Sequence, residues 1–210
     1  MDIETSTNTR LVLASASARR AELMKQAGYT FDIVPSPLDE PDTMGVDVPP
    51  VAQAEALSYF KARSVLCQVG DGLIVAADTL VAGGGRIFGK PAGIIEAKET
   101  LEALSATTHE VITGVTLLDA VSRRRLISHD RTVVKMRPIP PAALKQYLNS
   151  GAWLGKAGAY GIQDSGDAFI ERIEGSFTNV VGMPMELLAK MLKEWGYSPI
   201  PVTKAQTESV

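Results

Sequence analysis

Cysteine is nearly absent from this chain: Cys67 is the only one in 210 residues, so no disulfide can form within it. Histidine is almost as scarce. His109 and His129 stand without cysteines or acidic clusters at ligand spacing, which argues against zinc and leaves both to be read as structural. No apolar run approaches the ~18 residues of a membrane span, so no membrane contact is expected. The Walker A pattern G-x-x-x-x-G-K-[S/T] is missing, as is any Cys–His or Ser–His pairing suited to a covalent nucleophile. A surplus of positive charge is missing too: 21 Lys+Arg against 24 Asp+Glu give a net charge of −3. That balance argues against stable nucleic-acid binding but permits a local basic pocket for a small anion. The acidic, polar start M-D-I-E-T-S-T-N-T has neither the basic head nor the apolar centre of an export signal, so a cytoplasmic address is expected.

What is present is ordinary globular material, 45% hydrophobic and 21% charged. The length suits a single domain, expected over residues 10–202, with polar tails at 1–9 and 203–210. The rest of the chain is organised around Leu73–Thr79, L-I-V-A-A-D-T, an unbroken apolar run between Asp71-Gly72 and Gly83-Gly84-Gly85. This reads as a strand buried on both faces that ends in a carboxylate. Asp78 is then either an active carboxylate at a strand exit or the opening residue of a turn.

Other elements supply what converges on it. Leu11–Ala14 reads as a strand and Ala18–Gln26 as a helix stopped by Gly28, joined by S-A-S-A-R-R from Ser15 to Arg20. Small residues before a helix start, with two guanidiniums in its first turn, suit a phosphate on the backbone N–H groups; a Ser17 N-cap with two solvated arginines is the alternative. Tyr29–Val34 reads as a strand that runs into the proline-rich loop Pro35–Asp42, whose Asp39 and Glu40 can hold a divalent cation or do nothing. Pro49-Pro50 open a helix expected over Val51 to about Gln68. Its apolar stripe Val51, Ala54, Leu57 and Val65 passes through Lys61, a lysine that either snorkels or points into an anion site. Lys90 follows a hairpin expected from Leu80–Ala82 and Arg86–Phe88 around the three glycines.

Further on, Ile94–Leu104 reads as a helix and His109–Leu118 with Leu126–Val134 as a strand pair across a basic turn, Ser122–Arg125. Pro140–Leu148 and Met185–Trp195 read as amphipathic helices. Between them lies the second glycine-rich region, with Gln163 the amide able to read the edge of a base. A basic helix start, an acidic loop, two lysines and an aspartate together describe a site for a metal-bound polyphosphate. Metal-activated water is the chemistry that remains once covalent nucleophiles are set aside.

In the order S-A-S-A-R-R, L-D-E, F-K-A, A-A-D-T, G-K-P, T-H-E-V-I-T-G-V, K-A-G-A-Y-G-I-Q and G-S-F-T-N-V-V-G-M-P, the sequence from about Leu11 to Trp195 resembles the Maf family of nucleoside triphosphate pyrophosphatases. The resemblance implies an elongated α/β fold, a mixed sheet flanked by helices in two lobes about a central cleft, similar to the inosine triphosphatases. It implies hydrolysis of a nucleoside triphosphate to monophosphate and pyrophosphate, a divalent metal (Mg or Mn), and a homodimer. Carried onto this chain, Asp78 is the proton acceptor that activates water and also touches the metal, and Glu40 is the second carboxylate for the ion. Ser15, Ser17, Arg19, Arg20, Lys61 and Lys90 would hold the triphosphate. Arg19, Thr79 and Gln163 match the branch acting on dTTP and UTP; the branch acting on 7-methyl-GTP has an aromatic residue, Gln and Glu there. Three positions depart from the family pattern: Ala18 stands for a proline, Tyr59 for a polar residue, and Asp164 for a glycine. The rival functions are a pyrophosphatase for modified nucleotides such as 7-methyl-GTP, and a non-catalytic nucleotide-binding regulator of septum formation.

Overall fold

A computed structural model of the chain describes residues 9–38, 48–163 and 165–197. Its elements in chain order are β1 Leu11–Leu13, α1 Ala18–Gln26, β2 Asp32–Ile33, α2 Pro50–Ser64, β3 Leu73–Gly83, β4 Arg86–Phe88, α3 Ile94–Leu104, β5 Thr108–Asp119, β6 Arg125–Met136, α4 Pro141–Ser150, β7 Ile170–Glu174, α5 Phe177–Val181 and α6 Met185–Trp195. The strands form one seven-stranded sheet in the order β2-β1-β3-β5-β6-β7, with β4 attached to β3. It is a mixed sheet: β2, β1 and β3 run parallel, and the remaining pairings are antiparallel.

Alternation along β3 sorts the core onto two faces. Leu73, Val75, Ala77 and Val81 point into the larger cluster, where Leu23 and Met24 of α1, Leu101 and Leu104 of α3 and Leu188, Met191 and Leu192 of α6 meet. Ile74 and Ala76 point the other way, against Ala62 and Val65 at the end of α2, and Leu80 meets Ala54 and Leu57 of the same helix. The two consecutive polar residues of the strand therefore face opposite sides. Asp78 lies on the α2 face, and Thr79 lies on the α1 face.

Gly114 fixes how closely α2 can approach. It sits opposite Asp78 in the β3–β5 register, and a Cβ there would stand 2.2 Å from the Ala54 carbonyl oxygen and 2.6 Å from the Glu55 nitrogen. The helix backbone thus rests on a bare strand position, with Ser58 sharing a 2.7 Å hydrogen bond with Thr116 just beyond. This contact lowers the Lys61 end of α2 onto the sheet.

Several expected boundaries moved. The apolar run does not stop at Asp78; β3 continues to Gly83, fully paired with β5 as far as Ala82. Asp78 is therefore a mid-strand residue and not a strand exit. β2 is two residues rather than six, and α2 ends at Ser64. The hairpin glycines Gly84 and Gly85 take φ of +57° and +73°, the left-handed pair that a tight two-residue turn needs. Two elements of the glycine-rich region were not expected at all: the exposed edge strand β7 and the five-residue helix α5.

Candidate active site

The site occupies a gap in the sheet. On one edge of β3, β1 pairs with Leu73 to Val75 and β4 pairs with Val81 to Gly83. Among the described residues no strand pairs with 76–80 on that edge. A cavity of about 490 Å³ opens there, lined by Ser15, Ser17, Arg19, Arg20, Lys61, Asp78, Thr79, Lys90 and Gln163. Every phosphate-binding, specificity and catalytic residue expected from the sequence thus reaches one cavity. Glu40 and Asp39 lie outside the described residues, as does Asp164.

Lys61 settles the choice between snorkelling and pointing inward. It is 7% exposed, its Nζ donates to Oδ1 of Asp78, and Asp78 is 2% exposed. A charge this deeply buried needs a partner, and each of these two supplies it for the other. Removing either partner alone strands the remaining charge, a loss on the order of 3–5 kcal/mol.

The turn between β1 and α1 is cross-bonded rather than loose. Ser17 is the N-cap, its Oγ accepting from the Arg20 N–H at 3.4 Å, while Ser15 Oγ accepts from the Ser17 N–H at 3.2 Å. Neither arginine is merely solvated. Arg19 donates to the Gly155 carbonyl at 3.4 Å. Arg20 donates from Nε to the Gly182 carbonyl at 2.8 Å and from its two terminal nitrogens to Ser15 Oγ at 3.3 Å and Thr79 Oγ1 at 3.1 Å. Gly182 is the C-cap of α5, so this guanidinium also faces the negative end of a short helix.

The far wall is the glycine-rich stretch. Gly158 and Ala159 both take left-handed φ, +68° and +61°, and the alanine adopts it at a cost of about 1–2 kcal/mol. Two contacts hold this backbone: the Gly158 N–H donates to the Gly89 carbonyl at 3.0 Å, next to Lys90, and the Tyr160 hydroxyl shares a 2.7 Å hydrogen bond with Nε2 of His109. Burial pushes His109 down to about 4, so it is neutral at physiological pH, and burial raises Tyr160. Gln163 is exposed at the mouth. Lys156, Tyr160 and Val180–Gly182 also line the cavity; they sit inside motifs already noted as glycine-rich, where no charge pattern singled them out.

Elsewhere, two arginines of the basic turn lie against aromatic rings. Arg124 stacks on Trp195 at 4.4 Å and Arg125 stacks on Tyr59 at 4.9 Å, which also accounts for the aromatic residue at position 59. His129 bonds Glu55 at 2.8 Å, away from the cavity. Among the described residues no helix is long and apolar enough to cross a membrane, and no group of three or more His, Cys, Asp or Glu side chains gathers as a metal site.

Residues 10–195 match the family described as Maf-like protein. The chain belongs to the Maf family. Among curated Maf relatives, the dTTP/UTP pyrophosphatase of Pelotomaculum thermopropionicum is 42% identical over 188 residues, spanning 90% of this chain and 97% of that protein. Those of Ruminiclostridium cellulolyticum (41%, 88% of this chain and 95% of that protein) and Moorella thermoacetica (42%, 90% and 96%) carry the same name.

Proposed function

We propose that this Maf chain is a nucleoside triphosphate pyrophosphatase that hydrolyses dTTP and UTP to the monophosphate and pyrophosphate. The observation that carries the reading is the buried Lys61–Asp78 pair at the open edge of β3, facing two arginines and Lys90 across one cavity. A binder of polyphosphate gains from the cations but not from a carboxylate among them. The names of the curated relatives support the choice of substrate.

In this reading water attacks the α-phosphorus, its proton passes to Asp78, and the bond to the β-phosphate oxygen breaks as pyrophosphate leaves. Lys61 fixes the plane of the Asp78 carboxylate that takes the proton. Arg19, Arg20, Lys90, Ser15 and Ser17 hold the phosphates, where preorganised donors oppose the charge gathering on the leaving group. Gln163, at the mouth, offers both an amide donor and an acceptor to the imide edge of thymine or uracil.

A divalent cation of the Mg²⁺ or Mn²⁺ type fits the donors present, since such an ion is commonly held by one or two carboxylates with substrate phosphates and water. Asp78 is the one carboxylate lining the cavity among the described residues, and Glu40 is the candidate for a second. When bound, the ion supplies charge neutralisation to the phosphates and acidifies water. Our reading also makes the chain a cytoplasmic homodimer; the mass in solution by light scattering tests the dimer.

The test of the activity is pyrophosphate release from the common triphosphates and 7-methyl-GTP, with Mg²⁺, with Mn²⁺ and with chelator. Metal-dependent turnover led by dTTP and UTP is expected. Turnover led by 7-methyl-GTP would transfer the chain to the other branch, and no turnover on any of them would leave a nucleotide binder.

A further inference from the structure

The Thr79 hydroxyl is engaged on two sides by protein groups. It accepts from Arg20 at 3.1 Å and lies 3.0 Å from Thr113 Oγ1. The direction of that second bond follows from the next one. Thr113 donates its only hydroxyl proton to the Asn179 carbonyl at 3.2 Å, so toward Thr79 it can only accept. Thr79 must therefore donate to Thr113, which turns its lone pairs to the guanidinium. The three side chains form a one-way relay from Arg20 through Thr79 to Thr113 and the backbone of α5.

The relay is anchored in buried structure behind the cavity wall. Thr113 and Asn179 are both 0% exposed, and the Asn179 amide donates onward to the Val111 carbonyl at 3.0 Å and to Thr132 Oγ1 at 2.9 Å. Thr113 sits directly opposite Thr79 in the β3–β5 register, so the bond is held by strand pairing and not by loop geometry. In contrast to Arg20 and Thr79, Thr113 does not line the cavity.

We infer that Thr113 is a positioning residue for triphosphate binding: it fixes the hydroxyl direction of Thr79, which in turn aims Arg20 at the phosphates. The substrate effect of Thr79 is then exerted through phosphate pose and not by contact with the base. The inference rests on the reading that Arg20 holds the triphosphate.

Binding of inorganic tripolyphosphate, a ligand with no base, tests it by calorimetry in the presence of Mg²⁺. Thr113→Val is close to isosteric but leaves Thr79 without its acceptor, and the hydroxyl is then released to turn its proton toward the guanidinium. Thr113→Val and Thr79→Val are expected to weaken tripolyphosphate about tenfold and to raise KM for dTTP by a similar factor with little change in kcat. Thr113→Ser, which keeps the hydroxyl, should bind as wild type. In an Arg20→Ala background the Thr113→Val change should cost nothing further, and melting of each variant separates the relay from lost stability. Wild-type tripolyphosphate affinity in Thr113→Val, an equal loss in Thr113→Ser, or an undiminished loss without Arg20 would each overturn the inference. A wild-type chain that binds tripolyphosphate but releases no pyrophosphate from any nucleotide would remove the proposed activity and leave the relay standing on the calorimetry.

Discussion

The two ends of the cavity are built in opposite ways. At the end we assign to the phosphates, Lys61, Asp78, Ser15 and Arg20 project from regular elements or the cross-bonded turn between two of them, and Lys61, Asp78 and Ser15 are buried. At the end we assign to the base, Gln163 is exposed on a stretch whose backbone needs two consecutive left-handed residues, Gly158 and Ala159. Phosphates are common to every nucleoside triphosphate, and a rigid set of charges on a strand and two helices suits them all. A base differs from its rivals by one or two polar atoms, and a loop can change its reading of them without disturbing the sheet. The difference teaches that chemistry and selectivity should fail separately.

Asp78→Asn breaks the comparison hardest. It keeps the side-chain shape but removes the proposed proton acceptor and leaves the buried Lys61 charge without that carboxylate, so stability drops as well and turnover should fall on the order of 10²–10⁴-fold on every nucleotide alike. Steady-state kinetics on dTTP, UTP and CTP check this, and near-wild-type turnover would take Asp78 out of the mechanism. Gly114→Ala comes next, and it acts without touching substrate. The new methyl meets helix backbone at 2.2 Å, so α2 must lift and carry Lys61 away from Asp78. Overpacking of this kind costs about 1–3 kcal/mol, read by denaturant melting, with turnover lost on all nucleotides together. A variant of unchanged stability would show that α2 does not rest on this strand position.

The phosphate end was also the more legible from sequence. The ranges of α1, α3 and α6 are those that the sequence indicates, with Ser17 as the N-cap before α1. What misled was Asp78 itself. A polar pair after an apolar run reads as a strand end, because nothing local announces that Lys61 from α2 neutralises the carboxylate and lets β3 run on. The bond is between residues 17 apart, a distance at which periodicity is silent. At the base end β7 was hidden because the two partly buried isoleucines of I-E-R-I-E stand three apart and not two, across a register shift, and α5 because five residues are too few to show a helical stripe. Thr113 was invisible for another reason: a threonine in a strand carries no signal until the register places it opposite Thr79.

His109 ties the glycine-rich wall to β5 through Tyr160. Its folded value of about 4 lies below the ordinary 6.5, so the unfolded chain binds the extra proton first as pH falls. The stability that rests on the neutral ring is complete above about pH 6.5 and is lost toward pH 4. Between pH 7 and 5 this amounts to about 2 kcal/mol. Replacing His109 by Gln should flatten the pH dependence of the melting temperature over that window. Because the ring holds Tyr160, the same variant should disturb selectivity among bases more than turnover of the best one. An unchanged pH slope would show that the imidazole titrates normally in the fold.

Gln163→Glu makes the smallest expected change. The side chain is exposed at the mouth, so melting should be nearly unaltered. A carboxylate cannot donate to the carbonyl oxygens of thymine or uracil and repels them, whereas it accepts well from the amino and ring N–H groups of a guanine edge. Discrimination of dTTP over GTP should therefore fall by about tenfold or more, roughly 1.4 kcal/mol, while the rate on the best substrate changes less. The ratio of kcat/KM values for the two nucleotides is the quantity to measure. If it stays fixed while Asp78→Asn abolishes turnover, selectivity does not reside in this loop. It would then have to come from the way the phosphate end poses the nucleotide, which is what the Arg20–Thr79–Thr113 relay controls.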